Sequence, residues 1–263
     1  MYTPVFRMSK DGAPVLRRNE IEVHGERLIA DFQRDALFNV QPLDFMRFIE
    51  LYLGLNLDIM NLSSNGVVMG MFVAGETDSL PFFNPVRNVA EYTHVDANTV
   101  IIDQRLISDG KKKHLLQFTL GHEASHGIYH RQFLLLKTHQ HKPSGVDKPG
   151  PVMLCRKGSV GPAQEKNDQL IWTPEKRIEW QANKLASCLL MPRPAVRYLF
   201  EANGRTGGHS EQVIKSIGDL VRECNVSRVA AAYRLVDLKL ADREEVRHYL
   251  TASSLTGFAG CAW

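Results

Sequence analysis

The residues of this 263-residue chain whose types and spacing could do chemistry fall in two short segments. The first, His122-Glu123-Ala124-Ser125-His126, sets two histidines four positions apart with a glutamate beside the first. On a helix this spacing brings both imidazoles to one face, about one turn apart, so their ring nitrogens can converge on a single ion. Zinc takes nitrogen ligands at ~2.0–2.1 Å, and a catalytic site commonly uses three protein ligands and leaves a fourth position open. Glu123 then stands where its carboxylate can take a proton from water acidified by the metal and carry it toward a leaving amine, the chemistry of peptide hydrolysis. The second segment, Glu179-Trp180-Gln181-Ala182-Asn183, offers a carboxylate and, one turn later, an amide. Glu179 is the candidate third ligand, and Asn183 the candidate for orienting a ligating histidine from behind. Ala182 and Ala186 keep this stretch slim, so it can lie close to the helix of the two histidines.

Taken together, HEASHGIYH and EWQANKLASCLLMP resemble the ImmA/IrrE family of metallopeptidases, whose pattern is an HExxH element ending in a further histidine, then E-x-x-A-N-x-x-A-x-x-L-L-M-P. The agreement lies at His122, Glu123, His126 and His130, and again at Glu179, Ala182, Asn183, Ala186, Leu189, Leu190, Met191 and Pro192. In element order it extends over roughly residues 20 to 245. The resemblance implies a gluzincin-like zinc fold with Zn2+ as cofactor and a cytoplasmic location. It also implies a regulatory endopeptidase role on a specific protein substrate, typically a helix-turn-helix transcriptional repressor. The departure is the stretch between His126 and Glu179, which is longer than the family pattern and bears on substrate access. A third histidine ligand of the HExxHxxGxxH kind would need glycine at 129 and histidine at 132, where this chain has Tyr129 and Gln132. His130 is therefore read as a residue that packs behind or orients a ligand.

Elements must hold these residues in place. KKKHLLQFTLGHEASHGIYHRQF (111–133) has helical periodicity and predicts one helix carrying His122 and His126. Thr173, Pro174 and Glu175 form a helix start, and the run to Pro192 predicts the helix that carries Glu179. Upstream, two helices are expected, from Glu20 to Phe38 and from Pro42 to Gly54, followed by strands at 57–60, 67–74 and 99–103 in a small antiparallel sheet. Downstream, 194–202 predicts a shorter helix, and 210–250 a helical tail with a turn near Asn225 and Ser227 as an N-cap. The fold class is α+β. Residues 1–18 read as an N-terminal arm, 19–203 as a zinc metallopeptidase domain with a long loop at 138–172, and 204–263 as a helical C-terminal subdomain.

Bulk properties narrow the alternatives. A chain that is 44% hydrophobic and 23% charged is an ordinary globular composition, and a net charge of +3 is too small and too dispersed to call for nucleic acid or a membrane surface. No stretch approaches the ~18 apolar residues of a membrane span, and the first residues lack the apolar core of a secretion signal. Cys155, Cys188, Cys224 and Cys261 are too scattered for a metal knuckle, and reduced thiols are expected. Direct nucleic-acid binding is disfavoured, because the second helix of the tail, SRVAAAYRLVDL, is Ala-rich and poor in side chains that read base edges. His139 and His141 read as solvated, and Tyr129, His209 and Tyr233 are able to stabilise an oxyanion without being singled out by any pattern. The competing function is a non-cleaving regulatory binding module on a peptidase scaffold, against which the intact Glu123 argues.

Overall fold

Runs such as VMGMFV (68–73) and TVIID (99–103) are apolar without alternation, a pattern that demands cover on both faces of a sheet. The computed structural model, which describes residues 1–140, 152–156, 173–205 and 207–255, supplies that cover. A short pair, β1 (Arg7–Met8) and β2 (Pro14–Val15), precedes α1 (Arg18–Phe32), a 3-10 turn, and α2 (Phe45–Arg47), which runs on as a π-helical turn to Tyr52. Five strands follow: β3 (Asn56–Met60), β4 (Val68–Val73), β5 (Thr77–Asn84), β6 (Val89–Val95) and β7 (Thr99–Asp103). Then come α3 (Gln104–Ser108), α4 (Lys113–Tyr129), α5 (Arg131–Gln140), β8 (Val152–Arg156) and α6 (Pro174–Leu190). Helices α7 (Arg193–Asn203), α8 (His209–Cys224), α9 (Arg228–Asp237) and α10 (Arg243–Leu255) close the described chain.

The main sheet has the order β3-β7-β4-β8 and is mixed, which corrects the antiparallel expectation. β7 slots between β3 and β4, pairing parallel with the first and antiparallel with the second. Apolar patterning states which faces are buried but carries no information on strand direction, so the parallel pair was not legible. β8 pairs antiparallel with the other edge of β4 and lies inside the stretch expected to be loop. Its short apolar run, flanked by Pro, Gly and Lys, becomes a strand because an unpaired edge of β4 is available to it. The remainder of the 138–172 stretch, from 141 to 151 and from 157 to 172, lies outside the described residues.

Alternation resolves the two faces. Phe72, Ala74, Val100 and Ile102 join the main core beneath the helices, while Met71, Val73 and Ile101 turn to a second, smaller core with Leu62, Leu80 and Val95. The second core is roofed by the β5–β6 hairpin, an element without a counterpart in the sequence expectations.

Local chemistry starts and stops the helices that matter. Thr173 caps α6 by accepting from the Lys176 amide at 3.3 Å, with Pro174 in the first helical position, and Ser227 caps α9 by accepting from the Ala230 amide at 3.1 Å. The second helix starts at Phe45, capped by Asp44, rather than at Pro42. The helix expected over 111–133 divides at His130 into α4 and α5, and the tail divides again before α10, where Lys239 adopts φ +58°. α4 crosses α6 where small residues permit it: a side chain at Gly121 would meet Ala186 at 3.4 Å. α6 buries Ile178, Leu185, Leu189 and Leu190, each worth ~1.5–3 kcal/mol. It therefore lies fixed between α4 on one side and α1 on the other, where Gly25 admits Cys188. Among the described residues no helix is long and apolar enough to cross a membrane.

Candidate active site

The site is built where α4 and α6 cross. His122 and His126 leave α4 one turn apart, and Glu179 leaves the first half of α6, so three residues from two helices share one focus. The His122 and His126 Nε2 atoms are 3.0 Å apart, His126 Nε2 is 3.4 Å from Glu179 Oε1, and His122 Nε2 is 3.6 Å from Glu179 Oε2. Three ligand atoms ~2.0–2.1 Å from one ion at tetrahedral angles would stand ~3.3–3.4 Å from one another. The observed spacings bracket that value. The donor set, two imidazoles and one carboxylate, is one that zinc accepts with a position to spare, and among the described residues this is the group of His, Cys, Asp and Glu side chains that could hold a metal ion.

Burial sets the electrostatics. His122, Glu123 and His126 are wholly inaccessible to solvent. Desolvation, reinforced at His122 by neighbouring His126, pushes the two imidazoles down, to about 4 for His122 and about 3 for His126. Both are thus held neutral at physiological pH, the form that binds metal. Desolvation pushes the Glu123 carboxyl well above the ordinary range, with the charge of Glu179 adding to it, and also raises Glu179, against which His122 acts. Both Glu123 oxygens and Glu179 Oε1 are buried without a hydrogen-bond partner among the protein groups. Buried carboxylate oxygens are rarely left so. A dication at the focus of His122, His126 and Glu179 is the charge that would offset two neighbouring carboxylates, and the residues present fit it.

Asn183 lies one turn beyond Glu179 on α6, and its Oδ1 accepts from His122 Nδ1 at 2.9 Å. His130, just past the end of α4, does not enter the focus; its Nδ1 lies 2.9 Å from His126 Nδ1 and its Nε2 3.0 Å from Gln181 Oε1. Of the side chains able to stabilise an oxyanion, Tyr129 is buried with its hydroxyl 2.9 Å from His24 Nδ1 on α1, and His209 lies by Glu245 at 3.6 Å, so both face other partners. His139 lies in the last turn of α5, and His141 falls outside the described residues.

Two contributors escaped the sequence expectations. Gly70, on β4, lies against α4 so closely that a Cβ there would stand 2.4 Å from Thr119 Cγ2 and 3.1 Å from Glu123 Oε1. Its signal was a lone glycine inside an apolar strand, which marks a close backbone approach. Gln181 is wholly buried on α6, and a glutamine inside that apolar helix was its only mark. In the tail, every residue of α9 is buried or half-buried.

Residues 158–236 match a peptidase family model described as the IrrE N-terminal-like domain. That segment contains Glu179, Gln181 and Asn183, whereas His122, Glu123 and His126 lie before it. Among curated proteins, none matches the chain.

Proposed function

From the match of residues 158–236 to the IrrE N-terminal-like peptidase model and the resemblance of both motifs to the ImmA/IrrE family, we propose that this chain is a cytosolic zinc metallo-endopeptidase that cleaves a specific protein, a helix-turn-helix transcriptional repressor being the class the resemblance favours. The observation that supports it is the convergence of His122, His126 and Glu179 at tetrahedral ligand spacing beside a buried, unpartnered Glu123.

In this reading His122, His126 and Glu179 hold the metal, and Asn183 holds the His122 ring in register through Nδ1. A zinc ion bound there supplies Lewis acidity, polarising the scissile carbonyl and acidifying water. Glu123 accepts the proton of the attacking water on its carboxylate and returns it to the leaving amine. Because Glu123 is wholly buried, the proton it accepts can pass to the leaving amine without being lost to bulk solvent. The backbone of β4 at Gly70 lies against the Glu123 side chain.

Elemental analysis of the purified protein beside Glu179→Ala tests the reading. About one zinc per chain, lost in the variant, is the expected result. No metal in the native protein after zinc is supplied would overturn it. A partner that binds tightly and stays uncut would instead favour the binding module.

A further inference from the structure

Gln181 does not face the metal ligands, yet it stands at the end of a chain of hydrogen bonds whose direction is dictated at the far end. Its amide nitrogen donates to the Pro14 carbonyl on β2 at 2.9 Å. A carbonyl oxygen can only accept, so the amide cannot be turned over, and Oε1 must face His130. Oε1 also only accepts, so His130, 3.0 Å away through Nε2, carries its proton on Nε2 and leaves Nδ1 as a lone pair. That lone pair faces His126 Nδ1 at 2.9 Å, a contact which requires the His126 proton to be on Nδ1. His126 Nε2 is thereby left bare. At the other ligand Asn183 does the same for His122 in one step. Gln181, His130 and His126 are all inaccessible to solvent, so no water competes for any of these bonds.

We propose that Gln181, anchored by the Pro14 carbonyl of the N-terminal arm, is a positioning residue that sets the tautomer of His126 through His130, so that His126 and His122 present bare Nε2 atoms to the same point. The 3.0 Å separation of those two nitrogens follows this logic. Neither can donate to the other, and two lone pairs face each other across a gap that a cation would fill. The inference rests on the metal-site reading for its purpose, though the hydrogen-bond chain stands apart from it. It also gives the arm a role, because β2 is attached to α6 through this same carbonyl, with Arg177 of α6 bound to Asp11 between β1 and β2 at 2.9 Å.

Long-range proton–nitrogen NMR correlations of the histidine rings in the metal-free full-length chain test it directly. His130 is expected with its proton on Nε2 and His126 with its proton on Nδ1. Gln181→Met, similar in volume but unable to accept, is expected to lose that assignment and to weaken zinc affinity by ~10–100-fold in competition with a chromophoric chelator. A proton on His126 Nε2 in the wild type, or unchanged tautomers and zinc affinity in Gln181→Met, would overturn the relay. The wild-type spectrum decides the matter even if the variant does not fold. The expected tautomers in a wild-type protein that binds no zinc would uphold the relay and remove the peptidase reading instead.

Discussion

Glu123 and Gly70 carry opposite lessons about single residues. Glu123 is named by its motif alone, and its proposed role depends on a proton it must take and return; replacing it with glutamine keeps the shape and removes the base. Glu123→Gln is expected to lower kcat by ~10²–10⁴-fold while zinc content stays at the wild-type value, measured on the same preparation. Wild-type turnover in that variant would end its assignment as the base. Gly70 belongs to no motif and is needed for what it lacks: a methyl there would overlap Thr119 Cγ2 at 2.4 Å and press on Glu123. Gly70→Ala is expected to destabilise the protein by ~1–3 kcal/mol, seen as a lower denaturation midpoint. Gly110→Ala, where a Cβ meets nothing within 4 Å, should change it by less than ~0.5 kcal/mol.

At the scale of elements, the position of α6 is the critical one, because it carries Glu179, Gln181 and Asn183 against a helix from elsewhere in the chain. Apolar burial holds it to α4, but a buried ionic cluster ties it to α1 and α9. Lys184 of α6 is bonded to Glu22 of α1 and Asp237 of α9, and Arg234 of α9 donates to Glu22 Oε2 and to the Met191 carbonyl, each at 2.9 Å. Removing one member leaves carboxylates buried and under-paired, so Arg234→Met is expected to cost ~3–5 kcal/mol, read from denaturant unfolding. The cluster also has a pH signature. Burial alone would raise the Glu22 carboxyl, yet the hydrogen bonds and charges of Arg234 and Lys184 outweigh it and hold it well below its usual 4.5. A depressed carboxyl contributes its stability above the unfolded-state pKa and loses it as pH falls below that value. The wild type should therefore lose stability progressively from about pH 5 downward, and Glu22→Gln, weaker at neutral pH, should show a shallower loss over the same acid range. Parallel slopes for the two proteins would contradict this account.

At the scale of the whole molecule, a metal bound by residues of α4 and α6 cross-links two elements that the chain separates, so it should stabilise the native state by mass action. Free zinc at ~100 times its Kd contributes ~2.7 kcal/mol, and a protein of this size shifts by ~2–4 °C per kcal/mol. Chelation is expected to lower Tm by roughly 5–10 °C and zinc to restore it; a Tm indifferent to both would count against the metal site. Much of this architecture was legible beforehand. His122, Glu123, His126, Glu179 and Asn183 were named by spacing, because a helix turns side chains four apart to one face whatever surrounds it. The α6 and α9 starts at Thr173 and Ser227, and the three strands at 57–60, 67–74 and 99–103, followed from capping chemistry and apolar runs, which are also local. What only the tertiary structure decided is long-range. The parallel pairing of β3 with β7, the edge strand β8, the hairpin over the second core and the hydrogen-bond chain from Pro14 to His126 each depend on a partner distant in sequence. No local pattern encodes such a partner, because strand pairing and proton placement are set by whatever group packing brings within reach.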